Sequence, residues 1–302
     1  AHFSSNASLK AISIDIRSLA NRAGVHFIQA EILGLNLSGK SLSLNGRPDI
    51  NFDLLGLNVG SNAPFQEFQR AIPIKPLERS LSAMDLEDSL PRRDEIPFHV
   101  VGSGLAAIEV SFALRKRWPR RPLVLHRGGR PLHTSLAKAL SKAWIELSDQ
   151  KAPDDIHTLL CTGSAAPNWI ESSGVRCDAK GRILTNSCLQ SLDHPWLFAA
   201  GDCADIKEQP RPPSSVYAVR AARPLAVNLE RVMKGHPPKR WSPQRNAMQL
   251  LGAPSKSAQN SAWAIYGNHV FGPSSLLWVL KNFLDQRFMR QFNTITASMK
   301  GM

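Results

Sequence analysis

The sequence predicts an α/β protein, and three observations carry that expectation. Short apolar runs alternate along the chain with longer segments of helical apolar spacing, and glycine or proline separates them. One apolar run, Phe98–Val101, passes straight into Gly102-Ser103-Gly104 and then into a helical pattern. Another, Trp196–Ala200, ends in Gly201-Asp202.

The elements follow in order. Ile12–Ala23 has the spacing of a short helix, with a strand expected at Val25–Ala30. Two β-rich stretches, Ile32–Leu37 and Ser41–Leu44, are punctuated by the turn signals Ser38-Gly39 and Asn45-Gly46. A strand over Asp53–Asn58 stops at Gly60, and Pro73 and Pro76 bracket a linker. Leu77–Leu90 reads as a helix, Phe98–Val101 as a buried strand and Leu123–Leu125 as the next strand. A helix over Thr134–Trp144 leads into the short segment Ile145–Asp149. After Trp196–Ala200 a proline-rich loop (Pro210, Pro212, Pro213) precedes a long helix from Ser215 to Lys234. Gly267-Asn268 between Ala262–Tyr266 and His269–Phe271 marks a hairpin. The last helix, Leu276–Phe292, is amphipathic; its apolar residues are expected to dock on the protein body, with peripheral membrane contact as a second role. Trp241, Trp263 and Trp278 are expected to pack a small C-terminal subdomain.

At 302 residues, 43% hydrophobic and 20% charged, the chain has room for two domains with real cores. No apolar run reaches the ~18 residues needed to cross a bilayer, and the first residues lack a signal-peptide layout. A cytoplasmic location is expected, with four cysteines in no CxxC or zinc spacing. The nine histidines form no HExxH, and no Gly-x-Ser-x-Gly elbow occurs, so neither a metal site nor a serine hydrolase is expected. The net charge of +13 favours anionic partners, but no nucleic-acid module or interleaved aromatic pattern accompanies it, which excludes nucleic acid.

Gly102-Ser103-Gly104-Leu105-Ala106-Ala107 is a GxGxxA turn between strand and helix. Gly102 permits the tight turn, Gly104 lets the backbone approach a pyrophosphate, and Ala107 lets helix pack close on strand. The helix N-terminus adds N–H groups and the positive end of a dipole. The next strand ends in His126-Arg127 with Arg130 behind, where an NAD-binding protein would carry a carboxylate; such cations suit a 2′-phosphate. They read equally as solvated loop residues. At Gly201-Asp202 a carboxylate projects from a strand end, where acceptors can bind sugar or ribitol hydroxyls.

Taken together, GxGxxA, Cys161-Thr162-Gly163-Ser164 and Phe198-Ala199-Ala200-Gly201-Asp202 resemble the pyridine nucleotide–flavin oxidoreductase superfamily, nearest its type II NADH dehydrogenase-like branch. Asn58-Val59-Gly60-Ser61 and Thr162-Gly163 resemble that family's two junctions between domains. Three further segments, Pro73–Leu77, Val216–Arg220 and Asp285–Arg290, resemble the flavoprotein module fused to selenophosphate synthase (selenide, water dikinase).

The resemblance implies two Rossmann-like domains, FAD and NAD(P)H as cofactors, and a small-molecule electron acceptor that is quinone-like or a selenium or sulfur compound. It implies that Gly102, Gly104 and Ala107 cradle the NAD(P)H pyrophosphate, with Glu109 near the nicotinamide, Arg127 near the ribose and Gly163 close to the nucleotide. Gly60 would lie near FAD, Gly201 and Asp202 at its ribitol, and the helix from Ser215-Val216 would aim at the isoalloxazine. No catalytic acid or base is assigned.

The implied boundaries are an FAD domain in two parts (1–73 and 191–235), an NAD(P) domain (74–190) and a C-terminal hairpin with amphipathic helix (236–302). The family's first FAD-binding Gly-x-Gly-x-x-Gly would precede residue 1. The family's parallel strand and antiparallel crossover before Thr162-Gly163 are shortened here to Ile145–Asp149 and a polar stretch. The alternative is a non-catalytic module that regulates a selenophosphate synthase.

Overall fold

This computed structural model describes residues 3, 13–62, 68–253 and 260–297, and the first α-helix among them has seven residues. That helix, α1 (Ile16–Arg22), is capped by Asp15, which accepts from the Ser18 N–H. Strands β1 (Ile32–Asn36), β2 (Ser41–Leu44) and β3 (Arg47–Asn51) follow, then β4 (Leu55–Leu57) and β5 (Ile72–Pro73). Next come α2 (Leu77–Asp88), β6 (Phe98–Val101), α3 (Leu105–Arg117), β7 (Leu123–His126), α4 (Thr134–Lys142), β8 (Ile145–Ser148) and β9 (Thr158–Leu160). The remainder is α5 (Asn168–Ser172), β10 (Ile183–Thr185), β11 (Leu197–Ala199), β12 (Ala204–Ile206), α6 (Ser215–Met233), β13 (Gln249–Ala253), β14 (Ser261–Tyr266), β15 (His269–Ser274) and α7 (Ser275–Ala297).

These elements form two compact units, each drawn from separate stretches of sequence. One takes the described residues of 1–27, 65–162 and 248–302; the other takes those of 28–64 and 163–247. The divisions expected at residues 73, 190 and 235 do not coincide with these units.

The first unit is built on a five-stranded, all-parallel sheet in the order β5-β9-β6-β7-β8. The chain steps from β6 outward to β7 and β8, then returns past β6 to β9, so strand order reverses between β9 and β6. Phe98, Val100, Leu123, Leu125, Ile145 and Leu159 point into one core with Ile108, Phe112, Leu136 and Leu140 from the helices. The antiparallel sheet β13-β14-β15 adds Leu251, Trp263 and Ile265 to that core.

A single side chain ties several termini together here. Arg115 donates to the carbonyl oxygens of Ala143 (2.8 Å), Trp118 (3.0 Å), Pro119 (3.0 Å), Arg121 (2.8 Å) and Trp144 (2.6 Å). These lie at the ends of α3 and α4, where carbonyls lack intrahelical donors. Nearby, the fully buried Arg121 guanidinium sits over the Phe98 and Trp118 rings and pairs with buried Glu87 at 2.7 Å.

The second unit contains the antiparallel meander β1-β2-β3 and two parallel pairs, β4 with β11 and β10 with β12. Leu35, Leu55, Leu57, Ile170, Ile183, Leu197 and Ala199 form its main core. Leu189, Ala200, Ile206 and Ala221 form a smaller one, with Trp241 against them. Trp241 was expected to pack the C-terminal subdomain and instead belongs to this smaller core.

Several expectations need correction. Val25–Ala30 is not a strand: Val25 and Ile28 are about half exposed, and no strand among the described residues pairs with them. The residues 145–148 are not a remnant but a parallel strand bonded to β7, and residues 158–160, within the polar stretch, form the strand β9 between β5 and β6. The apolar residues of α7 do not all turn inward: Leu277, Trp278 and Phe288 are half-buried while others face out. Leu276, Val279, Leu280, Phe283 and Leu284 are exposed, between 36% and 78%, whereas Trp278 packs near Gly252 and Lys281 faces Glu109.

Candidate functional site

Each unit ends adjacent parallel strands in a glycine turn. In the first unit the crevice lies at the carboxyl ends of β6 and β9, where strand order reverses; open α/β sheets bind ligands at such positions. The Gly102 N–H donates to the His126 carbonyl at 2.9 Å, and the Cys161 N–H to the Val101 carbonyl at 2.7 Å. A Cβ on Gly102 would stand 2.7 Å from the Cys161 carbonyl oxygen and 3.0 Å from the Ala107 Cβ, so this glycine and the small Ala107 are required by close packing. Burial pushes the Cys161 thiol up to about 12, which leaves it a neutral wall residue rather than a nucleophile.

Gly104 differs. It is the N-cap of α3 with ordinary extended angles (φ −83°, ψ 173°), no side chain caps the helix, and a Cβ there would meet no described atom within 4 Å. Protein packing does not demand glycine at this position. Open room beside the uncapped N–H groups of a helix N-terminus is what a pyrophosphate needs.

Arg127 follows β7, and only 8% of it is exposed. Its Nη2 donates to the Pro131 carbonyl at 3.2 Å, while Nε and Nη1 are buried without an acceptor among the described residues. Burial works against this cation, and Asp149 supports it. Buried guanidinium donors left unsatisfied point to a missing acceptor, and an anionic oxygen is the natural one. Gly128 and Gly129 follow in left-handed conformation, and the Gly129 N–H donates to Asp149 at 3.0 Å.

Glu109, one turn into α3, receives the Gly252 N–H at 3.4 Å and lies 3.9 Å from Lys281 Nζ. The carboxylate expected near the nicotinamide is thus shared with the C-terminal sheet and α7.

In the second unit, Leu57 of β4 stands beside Ala199 of β11, so both strands leave the sheet at the same end. Asn58–Ser61 and Ala200–Asp202 emerge side by side. Gly201 has φ +76°, and any Cβ on it would run into Asn58 Oδ1. Ser61 Oγ donates to Asp202 Oδ2 at 3.2 Å. Gly60, at φ +71°, has no described atom within 4 Å of the position a Cβ would take. Asn62 and Ala165 exchange backbone hydrogen bonds of 2.8 and 3.0 Å, which joins the two junction segments and places Gly163 (φ 46°) two residues from that pair. Beyond Asp202, α6 begins at Ser214, whose Oγ accepts the Val216 N–H at 3.3 Å. That N–H is therefore already engaged by the cap. A cavity of about 50 Å³ borders this turn, and Gly201, Asp202, Arg211, Ser214, Tyr217 and Trp241 are among its lining residues.

The structure brings Gly60, Gly201 and Asp202 to one strand end, and Gly102, Gly104 and Ala107 to another. Ser61 and Asn58 were missed as individual residues. The Ser61–Asp202 bond spans 141 positions and leaves no local pattern; the one available signal was that both apolar strands end in a glycine turn.

Among the described residues no cluster of three or more potential metal ligands occurs, and no helix is long and apolar enough to cross a membrane.

Solved structures define the class of fold. A sulfide:quinone oxidoreductase from Aquifex aeolicus superposes with a TM-score of 0.72 over 97% of this chain and 82% of its own, at 15% identity. An FAD-dependent pyridine nucleotide-disulphide oxidoreductase from Desulfovibrio vulgaris superposes with 0.60 over 81% and 69%, at 16% identity. The chain has the α/β fold with Rossmann-like parallel sheet that these oxidoreductases share. Among characterised sequences it is similar to ferroptosis suppressor protein 1. It is 24% identical to the Xenopus tropicalis protein over 270 residues (74% of this chain, 68% of that one) and 22% identical to the Mus musculus protein over 258 residues (72% and 66%). No protein-family profile matches the chain.

Proposed function

We propose that the protein is an FAD-dependent NAD(P)H oxidoreductase acting on a small-molecule electron acceptor. The observation that carries this reading is the pair of glycine turns, one in each unit, where Gly104 and Gly60 leave room that no described protein atom fills. Oxidoreductase neighbours of the same fold support it.

In the first unit Gly102, Gly104 and the N-terminus of α3 would hold the nucleotide pyrophosphate. Arg127 would supply its two spare N–H groups to a 2′-phosphate, which favours NADPH over NADH. In the second unit Asp202 would accept from ribitol hydroxyls, with Gly60 and Gly201 allowing close backbone approach and α6 presenting its N-terminal end. Bound FAD would take up hydride from the nicotinamide and deliver electrons onward, while the protein orients the groups and excludes water.

A quinone-like acceptor is the narrower reading, supported by the sulfide:quinone oxidoreductase neighbour. The outward stripe of α7, with exposed Arg287 and Arg290 and a chain charge of +13, fits peripheral contact with an anionic membrane surface. The alternative is a non-catalytic module that regulates a selenophosphate synthase, carried by Pro73–Leu77, Val216–Arg220 and Asp285–Arg290; protein that shows no NAD(P)H turnover but changes the rate of such a synthase would favour it.

The deciding experiment is reconstitution. Purified protein incubated with FAD and desalted should retain visible flavin absorbance and reduce an artificial acceptor with NAD(P)H. Asp202→Ala should weaken retention. Protein that holds no flavin after reconstitution overturns the reading.

A further inference from the structure

We propose that Ser61 is the positioning residue for Asp202, setting the plane of the strand-end carboxylate before a ligand arrives. The inference rests on the flavin reading above and names how that site is pre-organised.

A carboxylate on a strand end turns freely about its last bond unless one oxygen is held. Here the register of β4 and β11 delivers Ser61 to Asp202 across 141 positions of sequence. Ser61 is 8% exposed, so its hydroxyl is held by the surrounding packing, and it donates to Oδ2. With Oδ2 engaged, the direction of Oδ1 is fixed as well. An ionised carboxylate is acceptor-only, so the hydroxyl hydrogen of Ser61 and any ribitol hydroxyl point the same way, from donor to carboxylate, without conflict. Asn58 contributes in a different manner: its side chain fills the space beside Gly201, which keeps the Gly201-Asp202 backbone from shifting. The orientation is therefore present before ligand binding, and ligand affinity does not have to support it.

The test is a double-mutant cycle read by binding. Wild type, Ser61→Ala, Ser61→Thr, Asp202→Ala and Ser61→Ala/Asp202→Ala are titrated with FAD, following quenching of flavin fluorescence, with thermal melts to confirm folding. Ser61→Ala should weaken FAD about tenfold, the loss expected for one hydrogen bond to a charged group. Ser61→Thr, which keeps the hydroxyl, should restore most of it. The double variant should bind no more weakly than Asp202→Ala alone, because the proposed effect of Ser61 on FAD runs through that carboxylate. A merely structural role would make the two losses additive. If Ser61→Ala does not fold, Ser61→Cys keeps the shape with a weaker donor and should lie between wild type and Asp202→Ala. Additive losses, or a Ser61 variant equal to wild type while Asp202→Ala is impaired, overturn this inference and leave the flavin reading intact. Wild type that binds no FAD, or Asp202→Ala equal to wild type, overturns both.

Discussion

At the scale of single residues, Gly102 and Gly104 look alike in sequence and behave differently. Any side chain at Gly102 collides with the Cys161 carbonyl, so substitution there reports on folding. Gly104 has backbone angles that valine adopts readily and open space around its Cα. Gly104→Val should therefore fold normally, retain FAD, and lose NAD(P)H-dependent turnover by about a hundredfold or more in kcat/KM, a loss near 3 kcal/mol. Steady-state reduction of an artificial acceptor checks this; unchanged turnover would mean that nothing approaches that glycine. Arg127→Met should lower kcat/KM for NADPH by about one to two powers of ten and leave NADH unaffected, because only the phosphate uses the two spare donors. Both residues stand out in the sequence by type and spacing, Arg127 with a solvated loop as the other reading. Burial of Arg127, and the engagement of Glu109 by Gly252 and Lys281, were not, because they depend on loops and on a sheet distant in sequence.

At the scale of elements, two groups test how the sheet is held. His99 on β6 and His126 on β7 face one another, Nδ1 to Nε2 at 2.9 Å, and His126 Nδ1 lies 2.9 Å from the Gln150 carbonyl. Burial, and then the His126 ring, hold His99 below the ordinary histidine range; His157 acts the same way, while Asp155 and Glu146 oppose it. The unfolded chain therefore binds this proton more readily, so stability is full above the unfolded value near 6.5 and is lost as pH falls below it towards the folded value. Urea midpoints measured from about pH 7.5 down to about pH 5 should decline in the wild type and decline less in His99→Gln. Arg115 is the other group. Arg115→Leu should lower stability by about 2–4 kcal/mol, since it strands carbonyls at two helix ends, and lysine should not rescue it because it lacks the planar fork. Thermal melts decide.

Long elements with clear periodicity, such as α3, α6 and α7, were legible in the sequence. Short ones were not. Pro48 and charged neighbours disguise the strand β3, and three residues of β9 sit unmarked in a polar stretch. Val25–Ala30 shows the reverse error, an apolar pattern for which no described strand offers pairing.

At the scale of the whole molecule, α7 presents an apolar stripe to the outside although its spacing alone is equally compatible with docking inward. Val279→Glu/Phe283→Glu should abolish sedimentation with anionic vesicles at low salt and leave the thermal melt unchanged, since both side chains are more than half exposed; equal sedimentation would show that this face does not meet lipid. The segmented make-up of the first unit has a further consequence, for the order in which the protein can be made. Its main core needs Leu251, Trp263 and Ile265 as well as Phe98 and Leu123. During synthesis the five parallel strands leave the ribosome long before those residues exist, at about 5–20 residues per second. The nascent sheet must wait several seconds with part of its apolar surface uncovered, an interval in which completion of the core competes with aggregation.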